Sequence, residues 1–292
     1  MATLAKNGSF LGTSFGLLKQ TFQEWLEDKA PQLGAALAYY TVFSLAPLIL
    51  VLLAVVGFIF RDDPGGAWNK ITSQMSYFLD KSAVDVVQGI AKKASDPNKG
   101  LFATIIGIAL ALFGASGVFG QLQDALNTIW GVKAKPGGGI WGFLRTRFLS
   151  FGMVGGICFL LLVSLTLESV LKGFSHYIQS VMPGGIVVAI AVYWIFDLGV
   201  VVLLFAIIFK FLPDAKIQWR DVWVGALLTA VFFAAGKWAL GLYLGSGSAS
   251  SAYGAASSLI TLLLWIYYSA QILLFGAEFT QVYATHFGRG VA

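Results

Sequence analysis

Six stretches of the sequence run almost without charge, each near the ~20 residues a helix needs to cross ~30 Å of hydrocarbon. They lie at about 35–60, 101–119, 148–167, 186–209, 222–244 and 256–277. The runs are continuously apolar rather than alternating, so the period predicts helices and not barrel strands. Only 11% of the residues are charged and the mean hydropathy is +0.79, against about 25% charged in an ordinary soluble domain. A soluble chain must cover its surface with polar groups, and this one cannot. The predicted class is an all-α polytopic membrane protein with about six transmembrane helices.

Lysine and arginine set the orientation. With the N-terminus inside, eleven of them fall in cytoplasmic segments and seven outside, six of those seven in the first outer loop. Both termini are therefore placed in the cytoplasm. The same bias accounts for the net charge of +5 without invoking nucleic acid. The N-terminus shows no cleavable signal-peptide pattern. Residues 1–34 form a cytoplasmic amphipathic segment, 35–284 the six-helix domain, and 285–292 a cytoplasmic tail. Leu11, Phe15, Leu18, Phe22 and Trp25 recur at spacings of four and three, which suits a helix lying on the inner membrane surface. The first outer loop, 61–100, is too long for a bare connection. Its Ile71, Met75, Phe78 and Leu79, then Val84, Val87, Ile90 and Ala94, predict two short amphipathic helices.

Polar residues inside the apolar runs are the candidates for function. Pro47 removes a backbone donor, so the carbonyl of Phe43 needs water, a neighbour or a hydroxyl such as that of Ser44. Tyr39, Tyr40 and Thr41 lie one to two turns away on the same helix; a packed structural kink is one reading, and a kinked wall of a polar path, able to hinge, is the other. Asp197 falls near the middle of the fourth span, and Lys237 lies in the fifth about 7 Å from its centre at 1.5 Å per residue. Charges at such depth cost several kcal/mol unless paired or hydrated, roughly 3 kcal/mol on insertion scales; an ion pair and an outward-reaching lysine are the two structural alternatives to a transport role. Gln271 sits near mid-depth of the sixth span and Glu278 two turns further in, near the cytoplasmic boundary, where an interfacial charge is the alternative to a functional role; Glu168, at the outer end of the third span, reads the same way. Gln121, Asp124 and Asn127 recur every three residues after Gly114, Gly117 and Gly120, giving a polar face beyond a close helix contact. Gly152 and Gly156 give a second small-residue pair.

Other chemistries find no residues to run on. There is no P-loop for a nucleotide and no nucleophile elbow. The two histidines, His176 and His286, are far apart and unsupported by cysteines, so no metal or cofactor is expected. Cys158 stands alone in an apolar run and has no disulfide partner. The carboxylates are scattered rather than gathered as a nuclease requires, and basic clusters with stacking aromatics are absent. No catalytic residue and no nucleic-acid partner is predicted.

Three segments resemble one known family: "GAALAYYTVFSLAPLIL" (34–50), "QLQDALNTIWGVK" (121–133) and "SSLITLLLWIYYSAQILLFGAEFTQVYA" (257–284). They are similar to the YihY/BrkB family of bacterial inner-membrane proteins, in an order and spacing that cover nearly the whole chain. The resemblance implies Ala38, Tyr39, Tyr40, Ser44, Pro47, Asn127, Trp130, Trp265, Tyr267, Gln271, Gly276 and Glu278 as family hallmarks. The family carries an old ribonuclease BN label, against which the residue inventory argues, and a virulence-factor label. Its members are suspected transporters, some of envelope lipids. The function expected is a transporter or exporter of a lipid-like or amphipathic envelope molecule, not driven by ATP through its own chain. A non-transporting scaffold or envelope assembly factor is the alternative. The expected partners are membrane lipids, a lipid-like substrate and a second copy of the chain.

Overall fold

The structure is a computed structural model that describes residues 10–59, 117–132, 185–245 and 257–287, with a few positions between 65 and 89. The third span, most of the second, and Gly114, Gly152, Gly156, Cys158, Glu168 and His176 lie outside the described residues. Six helices carry the described chain: α1 (Phe10–Glu27), α2 (Ala30–Ile59), α3 (117–129), α4 (Gly185–Phe211), α5 (Trp219–Gly245) and α6 (Ser257–His286). No strand occurs among the described residues, and those described between 61 and 100 are all helical. The chain is all-α.

Local chemistry sets the helix ends. Between α1 and α2, Lys29 takes φ 53°, a conformation uncommon outside glycine. Pro31 then falls in the first turn of α2, where a missing N–H costs nothing. The polypeptide leaves α3 through Gly131 at φ 60°. Its N–H donates to Thr128 and that of Val132 to Asn127, at 2.9 and 3.0 Å, the paired closure of a Schellman motif. Pro213, two residues past Phe211, stops α4. Sequence hydropathy ends the sixth span at 277, but α6 runs on to His286, because its last turns are buried by protein rather than by lipid. Pro47 does not break α2, which continues to Ile59.

α4, α5 and α6 contain stretches long and apolar enough to cross a membrane, at Trp194–Phe211, Trp219–Ala239 and Ile260–His286. Their outer faces expose Trp194, Ile195, Trp223, Leu227, Val231 and Trp238. Apolar surface of that extent is not stable in water; the lipid interior covers it.

The fold divides into two compact units. The first comprises 1–28, 126–234 and 273–292. Here α1 lays Leu17 against Phe279 and Val282 of α6, with Val224 and Leu228 of α5 beside them. Phe15, Phe22 and Leu26 on the opposite face stay exposed. α5 and α6 meet through one pentapeptide pattern used twice: Gly225-Ala226-Leu227-Leu228-Thr229 and Gly276-Ala277-Glu278-Phe279-Thr280. Each threonine donates its hydroxyl to its own helix's glycine carbonyl at 2.7 Å. A methyl built on Gly225 would fall on Thr280, and one built on Gly276 would fall on Thr229. Ala226 and Ala277 are fully buried between them. The two backbones therefore approach as closely as glycine permits.

The second unit comprises 29–125 and 235–272. In it the side-chain amide of Gln271 lies flat on Gly34 of α2, and Tyr268 rests against Gly236 of α5 in the same way. Tyr40 packs toward Gly117 of α3.

Candidate functional site

α1 ends on carboxylates, against the usual electrostatics. Glu24 and Glu27 occupy its last turn and Asp28 follows, at relative positions i, i+3 and i+4 on one face. Like charges at that spacing repel, and the C-terminal end of a helix carries partial negative charge of its own. Gln20 relieves Glu24 by donating to it at 2.7 Å. None of the three is paired with a described lysine or arginine.

Those carboxylates border a cavity of about 360 Å³, closed by Thr128, Ile129, Trp130 and Gly131 at the end of α3 and by Gln281 of α6. One helical turn before Gln281, Glu278 is fully buried. Apart from the Asp28 carboxyl, no described group reaches either of its carboxyl oxygens. Its neighbour is the Asp28 carboxyl, at hydrogen-bonding range, and two carboxyls are joined only when one carries a proton. Burial pushes the Asp28 carboxyl up; the hydrogen bond with Glu278 opposes this in part, and the charge of Glu27 adds to the rise. Trp130 is 5% exposed and its indole Nε1 has no acceptor, while Gln281 Oε1 has no donor. Buried polar atoms are nearly always satisfied, so the unsatisfied atoms of Trp130 and Gln281, on two residues of the cavity wall, and the buried Glu278 one turn away set this region apart from plain packing.

Of the residues drawn from the sequence, Trp130 lines this cavity and Glu278 adjoins it through Asp28. Asn127 supports it from behind: its amide donates to Asp214 Oδ2 at 3.0 Å and accepts from the Asp214 N–H at 2.8 Å. That double bond anchors the end of α3 to the turn between α4 and α5. Gln121 is half-buried and Asp124 exposed while Asn127 is buried, so the three do not form one uniform polar face. Ser44 donates to the Thr41 carbonyl at 2.9 Å and Thr41 to that of Leu37 at 2.7 Å; the Ser44 hydroxyl is thus not spent on the Phe43 carbonyl. Tyr39, Tyr40 and Phe43 are exposed on α2 and pack on one another, with Tyr39 at 6.0 Å from Tyr40 and 4.5 Å from Phe43. Gln271 donates to the Pro31 carbonyl at 3.3 Å, which ties it to the start of α2. Asp197 is half-buried on α4 in the first unit, and Lys237 exposed on α5 in the second. Glu24, Glu27 and Asp28 were not singled out from the sequence, although three acids closing an amphipathic helix were a visible breach of helix-end electrostatics.

An all-helical bundle with three candidate spans, lipid-facing aromatics and a polar cavity at its helix ends defines a polytopic membrane protein. The chain belongs to the family described as virulence factor BrkB, which it matches over residues 21–290. It is 26% identical over 265 residues to a UPF0761 membrane protein of Tolumonas auensis, covering 87% of this chain and 80% of that one. A UPF0761 membrane protein of Pseudoalteromonas translucida is 27% identical over 94% of this chain and 87% of its own length. One from Pseudomonas paraeruginosa is 28% identical over 87% of this chain but 59% of its own length, so the chain spans little more than half of that relative. No solved structure matches it.

Proposed function

We propose that this membrane protein is a transporter or exporter of an amphipathic envelope molecule in the bacterial inner membrane, with both termini cytoplasmic and with no catalytic step of its own. The observation that carries this reading is the Glu278 carboxyl, fully buried with only the Asp28 carboxyl as a polar neighbour, Asp28 itself bordering a 360 Å³ cavity. A static bundle gains nothing from such a group, since an unsatisfied buried polar atom costs about 1–3 kcal/mol and an ionisable one within a membrane helix defaults to function. The exposed hydroxyl-bearing face of Tyr39 and Tyr40 suits contact with a cargo that is part polar and part apolar. Lacking a nucleotide motif, the chain draws any driving force from a gradient or a partner.

The test is extraction in a native membrane patch, mass spectrometry of what accompanies the protein, and flux of that compound in proteoliposomes. Enrichment of one amphipath over an unrelated six-helix protein from the same cells, followed by protein-dependent flux, is the expected result. Enrichment with no flux from folded protein would favour the scaffold or assembly-factor reading instead.

A further inference from the structure

The apolar stretches Trp194–Phe211 of α4 and Trp219–Ala239 of α5 stop and restart on either side of a short turn, 212–218. Both helices enter the hydrocarbon from that turn, so it lies at the level of the lipid headgroups. Its side chains match that level. Phe211, Trp219 and Trp223 are all exposed and touch in sequence, with ring centroids 5.9 Å apart for Phe211 and Trp219 and 6.2 Å for Trp219 and Trp223. Tryptophan collects at such a boundary because its ring is apolar and its N–H polar. Lys210 braces the group: its ammonium donates to the Ile217 carbonyl and lies 5.7 Å from the centre of the Trp219 ring, a cation–π distance.

Two more cations stand beside these rings. Lys216 in the turn and Arg220 in the first turn of α5 are both exposed. The acids of the same segment are engaged elsewhere: Asp214 accepts from Asn127, and Asp221 is fully buried. From this level α5 presents Trp219, Trp223, Leu227 and Val231 at a constant spacing of four, each between 43% and 50% exposed. Residues four apart form one row, inclined about 26° to the helix axis. From Trp219 to Val231 the row covers roughly 18 Å at ~1.5 Å per residue. One leaflet's share of the ~30 Å hydrocarbon core is about 15 Å. A soluble anion would use the cations and leave the row bare; an uncharged lipid would do the reverse. A molecule that uses both has an anionic head and one leaflet's length of hydrocarbon.

We infer that the α4–α5 turn binds a phospholipid of net negative charge, its phosphate between Lys216 and Arg220 and an acyl chain along Trp223, Leu227 and Val231. Both cations suit phosphate, arginine through paired N–H donors and lysine as a point charge. A headgroup of net negative charge brings no ammonium of its own to repel them. The inference concerns how the protein holds its own bilayer and does not depend on the transport reading.

Native mass spectrometry of the delipidated full-length protein, which resolves each bound lipid, is the test. The protein is titrated with phosphatidylglycerol and with phosphatidylethanolamine of the same acyl chains. One basic residue at an anionic lipid surface is worth about fivefold in affinity, so the first phosphatidylglycerol should bind at least fivefold more tightly than the first phosphatidylethanolamine. Lys216→Gln with Arg220→Gln should bring that ratio below two. Lys19→Gln with Lys29→Gln removes the same charge from exposed positions elsewhere and should leave the ratio above five. If the first pair does not fold, Arg220→Gln alone should lower the ratio at least twofold. Equal affinity for the two lipids overturns the inference. So does an equal fall in both charge-removal pairs, which would trace the preference to net charge alone. Displacement of the bound lipid by glycerol 3-phosphate at the lipid's own concentration would show a phosphate site in which the apolar row plays no part, and overturns it too.

Discussion

Gly276→Ala adds one methyl at the crossing of α5 and α6, and the structure dictates what it meets. The new carbon would lie 2.9 Å from Thr229 Cβ and 3.0 Å from Thr229 Cγ2, and on top of the hydroxyl. Carbon atoms rest at about 3.5–4.0 Å, so the helices must separate by at least ~0.6 Å. Neither partner atom is the free end of a flexible chain: Cβ is fixed to the backbone, and the hydroxyl is held at 2.7 Å by the Gly225 carbonyl. Overpacking of this kind costs about 1–3 kcal/mol, while alanine's better helix propensity returns up to ~1 kcal/mol. The net expectation is a loss of about 1–2 kcal/mol. Gly199→Ala on α4 supplies the control, because nothing lies within 4 Å of its added carbon; it should be neutral or gain up to ~1 kcal/mol. Thr229→Ala removes two of the three clashing atoms, so the double variant should be more stable than the sum of the singles predicts, by roughly 1 kcal/mol. Reversible unfolding of the purified protein in detergent, followed by tryptophan fluorescence, gives all four corners. A Gly276→Ala protein as stable as Gly199→Ala, or strictly additive singles, would refute the close contact.

Two further predictions concern the ends of α1 and α3. Asn127→Ala removes both hydrogen bonds to Asp214 and should cost about 2–3 kcal/mol, with faster amide exchange in the 212–218 turn by mass spectrometry; unchanged exchange there would show that the turn holds itself. Gly131 and Lys29 both take left-handed backbone conformations, so their substitutions should move stability in opposite directions. Gly131→Ala should lose, and Lys29→Gly gain, up to ~1 kcal/mol each, and two shifts of the same sign in thermal unfolding would contradict the assignment.

Composition and hydropathy period determined the class of this protein. Charge is too scarce for a water-facing surface, and runs of this length leave only helices that close their own hydrogen bonds in lipid. Element positions followed closely: α4 and α5 match the fourth and fifth apolar spans to within three residues at either end. The stripe Leu11–Trp25 appears as α1, with Phe15 and Phe22 exposed.

What lies across from what was decided by the tertiary fold alone. Pro47 attracted attention because its effect is local and readable, whereas the repeated Gly-Ala-x-x-Thr pattern looks like ordinary small-residue noise until α5 and α6 are set against each other. Glu278 read from the sequence as an acid near a membrane boundary; only packing removes it from water and brings it to Asp28, 250 residues away in the chain. Hydropathy depends on each residue's own transfer energy and survives in one dimension. A cavity and an unsatisfied hydrogen bond depend on which distant neighbours arrive or fail to arrive, and no single segment contains that information.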